Sequence, residues 1–250
     1  MFYSKKLKTF KKIEHCFFSK KGGFSTGFYK ALNCGRGSKD SKKNISRNLD
    51  FVSNKMRVNK NKLILMSQSH SNRVLEINKK NFRKEINSDA VITKEKGLAL
   101  AVLTADCVPI LVYDFKNEIV GCIHAGWRGA FSGIIKNTIS KMRKTNKDNL
   151  IYASIGPCIG KKNYEVDIKF FYKFLSKSKK NIKYFSKKSK NKKLFNLRKF
   201  VNDKLLELKV IVDHVNYDTF EEKNKFFSYR RSKILNQSDY GRCISAISLV

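Results

Sequence analysis

The sequence predicts an α+β fold, a single domain over residues 1–250 with a mixed β-sheet that helices cover. Short apolar runs alternate with segments whose apolar residues recur at helical spacing, and no stretch of linker composition divides the chain. Several of the apolar runs are hydrophobic throughout, which is typical of strands covered on both faces. With 250 residues and 41% hydrophobic content, the chain can form a large core.

The individual elements follow from these patterns. The strand candidates are the apolar segments IEHCFFS, LILMSQ, DAVIT, LALAVLT, PILVYD, EIVGCIH, LIYASIG, VIVDHV and RCISAISLV. The helix candidates are the amphipathic segments from Ile45 to Met56 and from Ala130 to Met142, followed by VDIKFFYKFLSK and FNLRKFVNDKLLELK. The glycine-rich segment KKGGFSTGFYKALNCG suits a loop that turns tightly near a ligand. The Lys-rich residues 176–193 predict a solvated loop or helix end.

The net charge of +34 raises the question of nucleic-acid or membrane binding. We expect neither a membrane nor a specific nucleic acid as partner, because the lysines are spread over every segment and no recognition motif accompanies them. The longest apolar stretch, residues 97–115, is interrupted by Asp106 and Pro109 and does not predict a membrane span. Six cysteines without paired spacing, and an N-terminus without a signal-peptide core, predict reduced thiols and a cytoplasmic protein.

Three residues that bind soft metals lie at the ends of apolar runs, namely His70, Cys107 and His124. Catalytic zinc is commonly held by three imidazole or thiolate ligands, with the fourth position open to water or substrate. Each residue taken alone is more simply explained as a buried core side chain. Because the chain has only four histidines, and two of them occupy such positions, we predict an open metal site.

Two arginine-containing motifs predict an anion or aromatic ligand near that site. In GCIHAGWRGA a strand end, a glycine turn and a helix start follow one another, and Arg128 adds a guanidinium suited to phosphate or carboxylate. The alternative is that Trp127 belongs to the core and Arg128 to a surface ion pair. The motif FFSYRRS sets Arg230 and Arg231 beside aromatic residues, unless it forms a strand with its Phe residues inward.

Asp106 stands directly before the predicted ligand Cys107. On a strand the two side chains would point to opposite faces, so Asp106 is not expected to bind the same metal. We expect it to orient a neighbouring loop or a metal-bound histidine.

The motif series as a whole resembles the YfiH-like laccase-domain proteins. The resemblance covers nearly the whole chain and is weakest over residues 165–225. It rests on FSKKGGFSTGFYKALN, QSHSNRV, DAVITKEKGLALAVLTADCVPILVYD, IVGCIHAGWRGAFSGII, SIGPCIGKKNYEV, FFSYRR and GRCISAI. The chain departs from the family pattern at Ser71, where Gly usually follows the histidine, and at Asp218-Thr219, where a Cys-Thr pair is common.

The resemblance implies a zinc site made of His70, Cys107 and His124 in a purine nucleoside phosphorylase that also deaminates adenosine. The implied substrates are phosphate with adenosine, inosine, guanosine or methylthioadenosine. Together with the motifs above, it assigns catalytic roles and substrate-binding roles to two further sets of residues. The catalytic set is Cys107, His124 and Arg128, and the substrate-binding set is Asn33, Arg230 and Arg231.

Other functions stay open at this point. A copper-dependent polyphenol oxidoreductase is an older description of the family, and a His₂Cys set can hold copper, but four histidines are too few for a multicopper cluster. A thiol nucleophile made of Cys107 and His124 would compete with metal binding for the same thiolate. A basic nucleic-acid-binding protein with a structural zinc would need a fourth ligand. The sequence leaves the preferred nucleoside, the metal and the oligomeric state open, with a homodimer as one form.

Overall fold

The computed structural model describes residues 1–144 and 149–250, whose strands form two mixed sheets and one small antiparallel sheet. The strands are β1 (Ile13–Phe17), β2 (Leu63–Leu65), β3 (Val74–Ile77), β4 (Ala90–Thr93), β5 (Ala99–Thr104), β6 (Val108–Asp114), β7 (Ile119–Ala125), β8 (Ile151–Ile155), β9 (Glu165–Asp167), β10 (Phe185–Lys187), β11 (Lys192–Phe195), β12 (Ile211–His214) and β13 (Cys243–Leu249). The α-helices are α1 (Lys42–Lys55), α2 (Trp127–Ser132), α3 (Ile134–Met142), α4 (Ile168–Lys177), α5 (Leu197–Glu207) and α6 (Tyr229–Ile234).

The strand order is β12-β8-β6-β7-β4-β3 in the larger sheet and β1-β13-β5-β2 in the second sheet. Parallel pairs occur at β12 with β8, at β3 with β4 and at β2 with β5, and the other pairs of these two sheets are antiparallel. The small sheet, β10-β11-β9, is antiparallel throughout. The predicted α+β fold with mixed pairing is confirmed, with its strands divided between two large sheets.

The two large sheets pack face to face, and helices cover their outer faces. Side chains alternate along a strand, so on β5 Leu100 and Val102 face the larger sheet, whereas Ala99 and Ala101 face α1. The other face of the larger sheet packs against α2, α3 and α5 in the most extensive apolar cluster of the described residues. This double-sheet core encloses β6 and β7, and it thereby positions Cys107, directly before β6, and His124, near the end of β7.

Several local expectations were wrong. The helix predicted from Ala130 to Met142 begins earlier, at Trp127, and is interrupted by Gly133, whose φ of 100° is a left-handed conformation that glycine adopts readily. The strand considered as the alternative for FFSYRRS is not found, because Ser228 caps α6 at its arginines.

The Lys-rich residues 176–193 are more ordered than predicted. They include β10 and the start of β11, which pair with each other, and β11 also pairs with β9. Phe185 and Phe195 anchor this small sheet, with their ring centres 4.9 Å apart in a stacked arrangement. The abundance of lysine in this segment therefore concealed two short strands whose few apolar residues pack inward.

Within the described residues, no helix is long and apolar enough to cross a membrane.

Candidate metal centre

Three separate segments deliver the three predicted ligands to one cluster. His70 lies on the loop between β2 and β3, Cys107 lies in the bend before β6, and His124 lies near the end of β7. Their ligand atoms all lie within 4.8 Å of one another, and Sγ of Cys107 is 3.8 Å from Nε2 of His70. Two imidazoles and one thiolate are the donors that zinc prefers.

Asp89 orients both histidines of the cluster. Its carboxylate is 2.8 Å from Nδ1 of His124, which leaves Nε2 of that ring available to a metal. The same carboxylate accepts hydrogen bonds from the backbone N–H groups of His70 at 2.9 Å and Ser71 at 2.7 Å, and from the Ser71 hydroxyl at 2.6 Å. These bonds hold His70 in a left-handed conformation with φ 63°, which is strained for a residue other than glycine. Ser71, one of the two departures from the family pattern, thus adds a bond to the site.

Sequence reasoning missed Asp89. The one available signal was its place at the start of the apolar strand DAVIT, where a carboxylate must find partners if it is buried. In the structure Asp89 is completely buried.

The cluster also sets the charge of its own members. Burial alone would raise the pKa of the Cys107 thiol, but His124 and His70 beside it lower that pKa to about 7. Burial alone would lower the pKa of His124, but the Cys107 thiolate and the Asp89 carboxylate raise it to about 9. Hydrogen bonds from His124 and Ser71 overcome burial and hold the pKa of Asp89 well below its usual range. The arrangement favours the thiolate, which is the metal-binding form of cysteine.

Gly126 leaves the space that the cluster needs. A Cβ at this position would lie 2.8 Å from Cδ2 of His70 and 2.9 Å from Sγ of Cys107, which is closer than such atoms pack. The backbone at Gly126 is extended, so the close approach, rather than an unusual conformation, requires a glycine here. The donor set, the orientation of His124 and this clearance together fit a metal ion.

Two cavities of different character meet at the cluster. A cleft of about 780 Å³ and a pocket of about 130 Å³ share His70, Ala105, Cys107 and Tyr229 in their walls. Polar and cationic groups are prominent in the rest of the cleft, including Arg36, Ser67, Gln68, Ser69, Lys84, Asn87 and Arg242. The rest of the pocket consists of Asp106, Trp127, Ile159, Tyr164, Leu197 and Arg230.

Asn33, a predicted substrate-binding residue, is buried and orders the wall of the cleft. Its side-chain amide donates hydrogen bonds to Ser38 and Asp40, both at 2.9 Å, and its Oδ1 accepts one from the backbone of Arg242 at 2.9 Å. These bonds join the loop that carries Arg36 to the segment that carries Arg242. The two cleft arginines, which sequence reasoning did not single out, are therefore held near each other through Asn33.

The three arginines predicted to act at the site differ in placement. Arg231 donates to backbone carbonyls within residues 219–226 and fixes that loop. Arg230 lines the pocket, and its Nη2 donates to the carbonyl of Glu165 at 2.7 Å. Arg128 is exposed, with its guanidinium 5.3 Å from the ring centre of Trp127, and it is not among the residues that line either cavity.

Asp106 organises the loop that presents Arg230. Its buried carboxylate accepts hydrogen bonds from the hydroxyls of Thr219 at 2.7 Å and Ser228 at 2.9 Å, and from the backbone of Arg230 at 2.7 Å. Burial raises the pKa of this carboxyl against the effect of those bonds. The expected role in orienting a neighbouring loop agrees with these contacts, and Asp89 takes the role of orienting histidine. Thr219 makes its hydrogen bond to Asp106 even though Asp218 stands where the family pattern commonly has a cysteine.

Comparison with known proteins gives one consistent family. The family model described as multi-copper polyphenol oxidoreductase laccase matches residues 14–250. A Rickettsia prowazekii protein named purine nucleoside phosphorylase is 34% identical over 205 residues, which cover 81% of this chain and 84% of that protein. A Haemophilus influenzae protein of the same name is 32% identical over 92% of this chain and 91% of its own length.

Solved structures share the fold. A Neisseria meningitidis protein superposes with a TM-score of 0.86 at 28% identity, covering 96% of this chain and 95% of its own. The YfiH protein of Bacillus licheniformis superposes with a TM-score of 0.88 at 26% identity, covering 95% and 93%. Because the family model spans nearly the whole chain and these relatives match it in sequence and in fold, the chain belongs to the YfiH-like laccase-domain family.

Proposed function

We propose that the chain is a cytoplasmic, zinc-dependent purine nucleoside phosphorylase acting on adenosine, inosine, guanosine and methylthioadenosine, and that it also deaminates adenosine. The observation that carries this proposal is the cluster of His70, Cys107 and His124 at the junction of a polar cleft and an aromatic pocket. Three protein ligands leave a metal open to substrate, which is the arrangement of catalytic zinc. The relatives named purine nucleoside phosphorylase support the reaction class.

Phosphorolysis exchanges one bond at C1′ of the ribose for another. An oxygen of hydrogen phosphate bonds to C1′, the C1′–N9 bond breaks, and its electron pair leaves with the purine. The proton that hydrogen phosphate gives up ends on the free base, so the products are ribose 1-phosphate and a neutral purine. Deamination replaces the amino group of adenosine with the oxygen of water and releases ammonia. Zinc held by His70, Cys107 and His124 would act as a Lewis acid towards a substrate bound at the cluster.

Arg36 and Arg242 are the best-placed groups for the phosphate. Both line the cleft beside the cluster, and Arg242 also stacks on Tyr240, with its guanidinium 4.2 Å from the ring centre. A guanidinium matches phosphate through paired N–H donors. Arg128 remains a predicted catalytic residue, although it is exposed and lines neither cavity.

Copper-dependent oxidation of phenols is the second candidate, favoured by the description of the family model and by a donor set that also suits copper. The remaining histidines are used elsewhere. Nε2 of His15 accepts the N–H of Ser4 at 2.9 Å, and His214 contacts Asn202 at 3.1 Å. The described residues thus offer one site for a single copper ion, whereas multicopper oxidases need four.

The test combines metal content with product release. Anaerobically purified protein should contain about one zinc per chain and release purine from a nucleoside panel only when phosphate is present. Arg36→Gln and Arg242→Gln should each raise the KM for phosphate by about 10-fold or more, the loss expected for one charge-assisted contact. Arg47→Gln, at an exposed position of α1 that lines neither cavity, is the matched control, and Arg128→Gln tests the predicted catalytic role of Arg128. Oxygen uptake with a phenol by copper-loaded protein, without release of base, would contradict the proposal.

A further inference from the structure

The pocket of about 130 Å³ differs from the cleft in its chemistry. Trp127, Ile159, Tyr164 and Leu197 supply aromatic and aliphatic surface, and Ile159 and Leu197 are themselves buried in the core. Such walls suit a flat, largely apolar ring.

The charges around the pocket do not favour phosphate. The carboxylate of Asp106 is part of its wall, so a dianion bound there would face a carboxylate. The pocket offers one guanidinium to balance it, that of Arg230, and the Nη2 of Arg230 already donates to a backbone carbonyl. Like charges repel in a partly enclosed site, whereas a neutral ring avoids this cost.

The cleft has the opposite balance. Arg36, Lys84 and Arg242 line it against one carboxylate, that of Glu85. Serine, asparagine and glutamine side chains in the same walls suit the hydroxyl groups of a sugar.

We propose that the pocket binds the purine base of the nucleoside, while the cleft binds the phosphate and the ribose. The inference rests on the proposed phosphorolysis. The base that leaves C1′ and the phosphate that attacks it then occupy different cavities, which meet at His70 and Cys107. This separation suits a displacement in which the attacking and leaving groups lie on opposite faces of the sugar.

Arg230 is the specificity residue of the pocket in this assignment. Its backbone N–H is fixed by Asp106 and its Nη2 by the carbonyl of Glu165, so the guanidinium has a defined position. It lies 5.7 Å from the ring centre of Tyr164. A donor beside an aromatic ring recognises an acceptor at the edge of a stacked purine, such as O6 or N7.

Trp127 offers a direct readout, because it is the only tryptophan in the chain and lines the pocket. Zinc-loaded protein is titrated with hypoxanthine and, separately, with inorganic phosphate, while tryptophan fluorescence is recorded. Hypoxanthine should change the emission saturably, and phosphate alone should leave it unchanged. A saturable response to phosphate, with none to hypoxanthine, overturns the assignment.

Matched arginine variants test the division between the cavities. Arg230→Gln should weaken hypoxanthine binding and raise the KM for inosine by about 10-fold or more, with the KM for phosphate unchanged. Arg242→Gln should do the reverse, and Arg47→Gln, at an exposed position of α1, should change neither. If Arg230→Gln does not fold, Leu197→Phe narrows the pocket without removing a charge and should weaken hypoxanthine binding in the same way. An Arg230→Gln protein whose KM rises for phosphate alone overturns the inference.

The failure of this inference differs from that of the proposed function. Wild-type protein that releases no base from any nucleoside with phosphate refutes the phosphorylase, whatever Trp127 reports. Phosphorolysis without a response of Trp127 to hypoxanthine refutes only the pocket assignment.

Discussion

Two regions of the molecule carry charge in different ways. Around the cluster of His70, Cys107 and His124, several charged groups are buried and fixed by multiple hydrogen bonds, as at Asp89 and Arg231. In the basic lobe, residues 165–209, lysines are numerous and their ion pairs lie at the surface. The Lys192–Glu165 pair has side chains 49% and 36% exposed, for example, and the Lys204–Glu207 pair has 36% and 54%. Exposed ion pairs of this kind contribute little to the free energy of folding.

The lobe is held together by aromatic packing instead. Its interior contains a cluster of phenylalanines with ring centres about 5 Å apart, formed by Phe170, Phe174, Phe185, Phe195 and Phe200. Lysines cover its edges, and the ammonium of Lys177 lies 4.3 Å from the ring centre of Phe131 on α2. Long lysine side chains shield apolar surface in this way while their charges stay in water.

Charge held in a fixed geometry near the cluster differs from charge that only reflects composition. A charged group can recognise a ligand when fixed partners hold its position, and Arg230, held by Asp106 and the carbonyl of Glu165, meets that condition. Lysines that reach into solvent raise the net charge without setting a geometry. Substitutions in the two regions should therefore have effects of very different size.

The largest effect is expected at the cluster itself. Cys107→Ala should reduce zinc from about one per chain to nearly none and abolish phosphorolysis, because the thiolate is the most strongly binding of the three ligands. Elemental analysis of purified protein measures this. Cys122→Ala, which removes a buried thiol from β7 on the face toward the second sheet, is the control and should keep its zinc. Full zinc content in Cys107→Ala would show that the metal lies elsewhere.

A smaller effect is expected at Asp89, which touches the histidines and not the metal. Asp89→Asn should weaken zinc binding by about 10- to 100-fold, since the amide no longer fixes His124 and the His70 loop as the carboxylate does. Competition with a chromophoric chelator gives the affinity. Asp50→Asn, at a carboxylate 48% exposed on α1, should bind zinc like wild type. Equal affinities in the two variants would mean that Asp89 does not orient the ligands.

The same contrast explains what the sequence could reveal. His70, Cys107 and His124 were predictable because their residue types are rare in this chain and each ends an apolar run. Asp89 was not, because its partners are 18 to 35 residues away and its role exists only when the two strands and the loop meet. The structural roles of Asn33 and Arg231 were hidden in the same way. The sequence shows a polar side chain near a motif, but it does not show that this side chain hydrogen-bonds to the protein's own backbone.

The fold was predictable to a similar degree. Strands of the double-sheet core, such as β5 and β7, are apolar on both faces and stand out in the sequence. Strand β3 escaped prediction because it is an edge strand with partly exposed residues. Strands β10 and β11 escaped it because they are short, partly exposed and set in a lysine-rich segment. A sequence pattern indicates a strand through its run of apolar residues, so strands with few buried residues are missed.

The basic lobe should show one measurable electrostatic contribution, at Asp203. Burial raises the pKa of this carboxyl, but hydrogen bonds from Lys183, Lys199 and Tyr184 lower it to about 2. The unfolded chain takes up the proton first as pH falls, so the stabilisation is present above about pH 4 and is lost between about pH 4 and pH 2. With both lysines about half exposed, we expect about 1–2 kcal/mol.

Urea unfolding of wild type and Asp203→Asn over this pH range measures the contribution, and the difference should vanish at the acidic end. Glu207→Gln is the control on the same helix, where the carboxylate is 54% exposed and its ion pair with Lys204 contributes little to stability. A difference between wild type and Asp203→Asn that persists at the acidic end would assign it to packing instead.

The smallest effects are expected for exposed lysines of the lobe. The triple variant Lys180→Gln, Lys188→Gln, Lys190→Gln removes three solvated charges, so stability should change by less than about 0.5 kcal/mol and kcat/KM for inosine should stay within about 2-fold.

Binding of wild type to DNA should be weak and indifferent to sequence. In the triple variant, the slope of log affinity against log salt concentration should be shallower by up to about 0.9 for each phosphate contact that is lost. Arg242→Gln removes a single charge from the cleft and should nevertheless impair phosphorolysis far more. Tight, sequence-selective DNA binding at physiological salt that the triple variant loses would reverse the comparison, because the function would then lie in the lobe and not at the cluster.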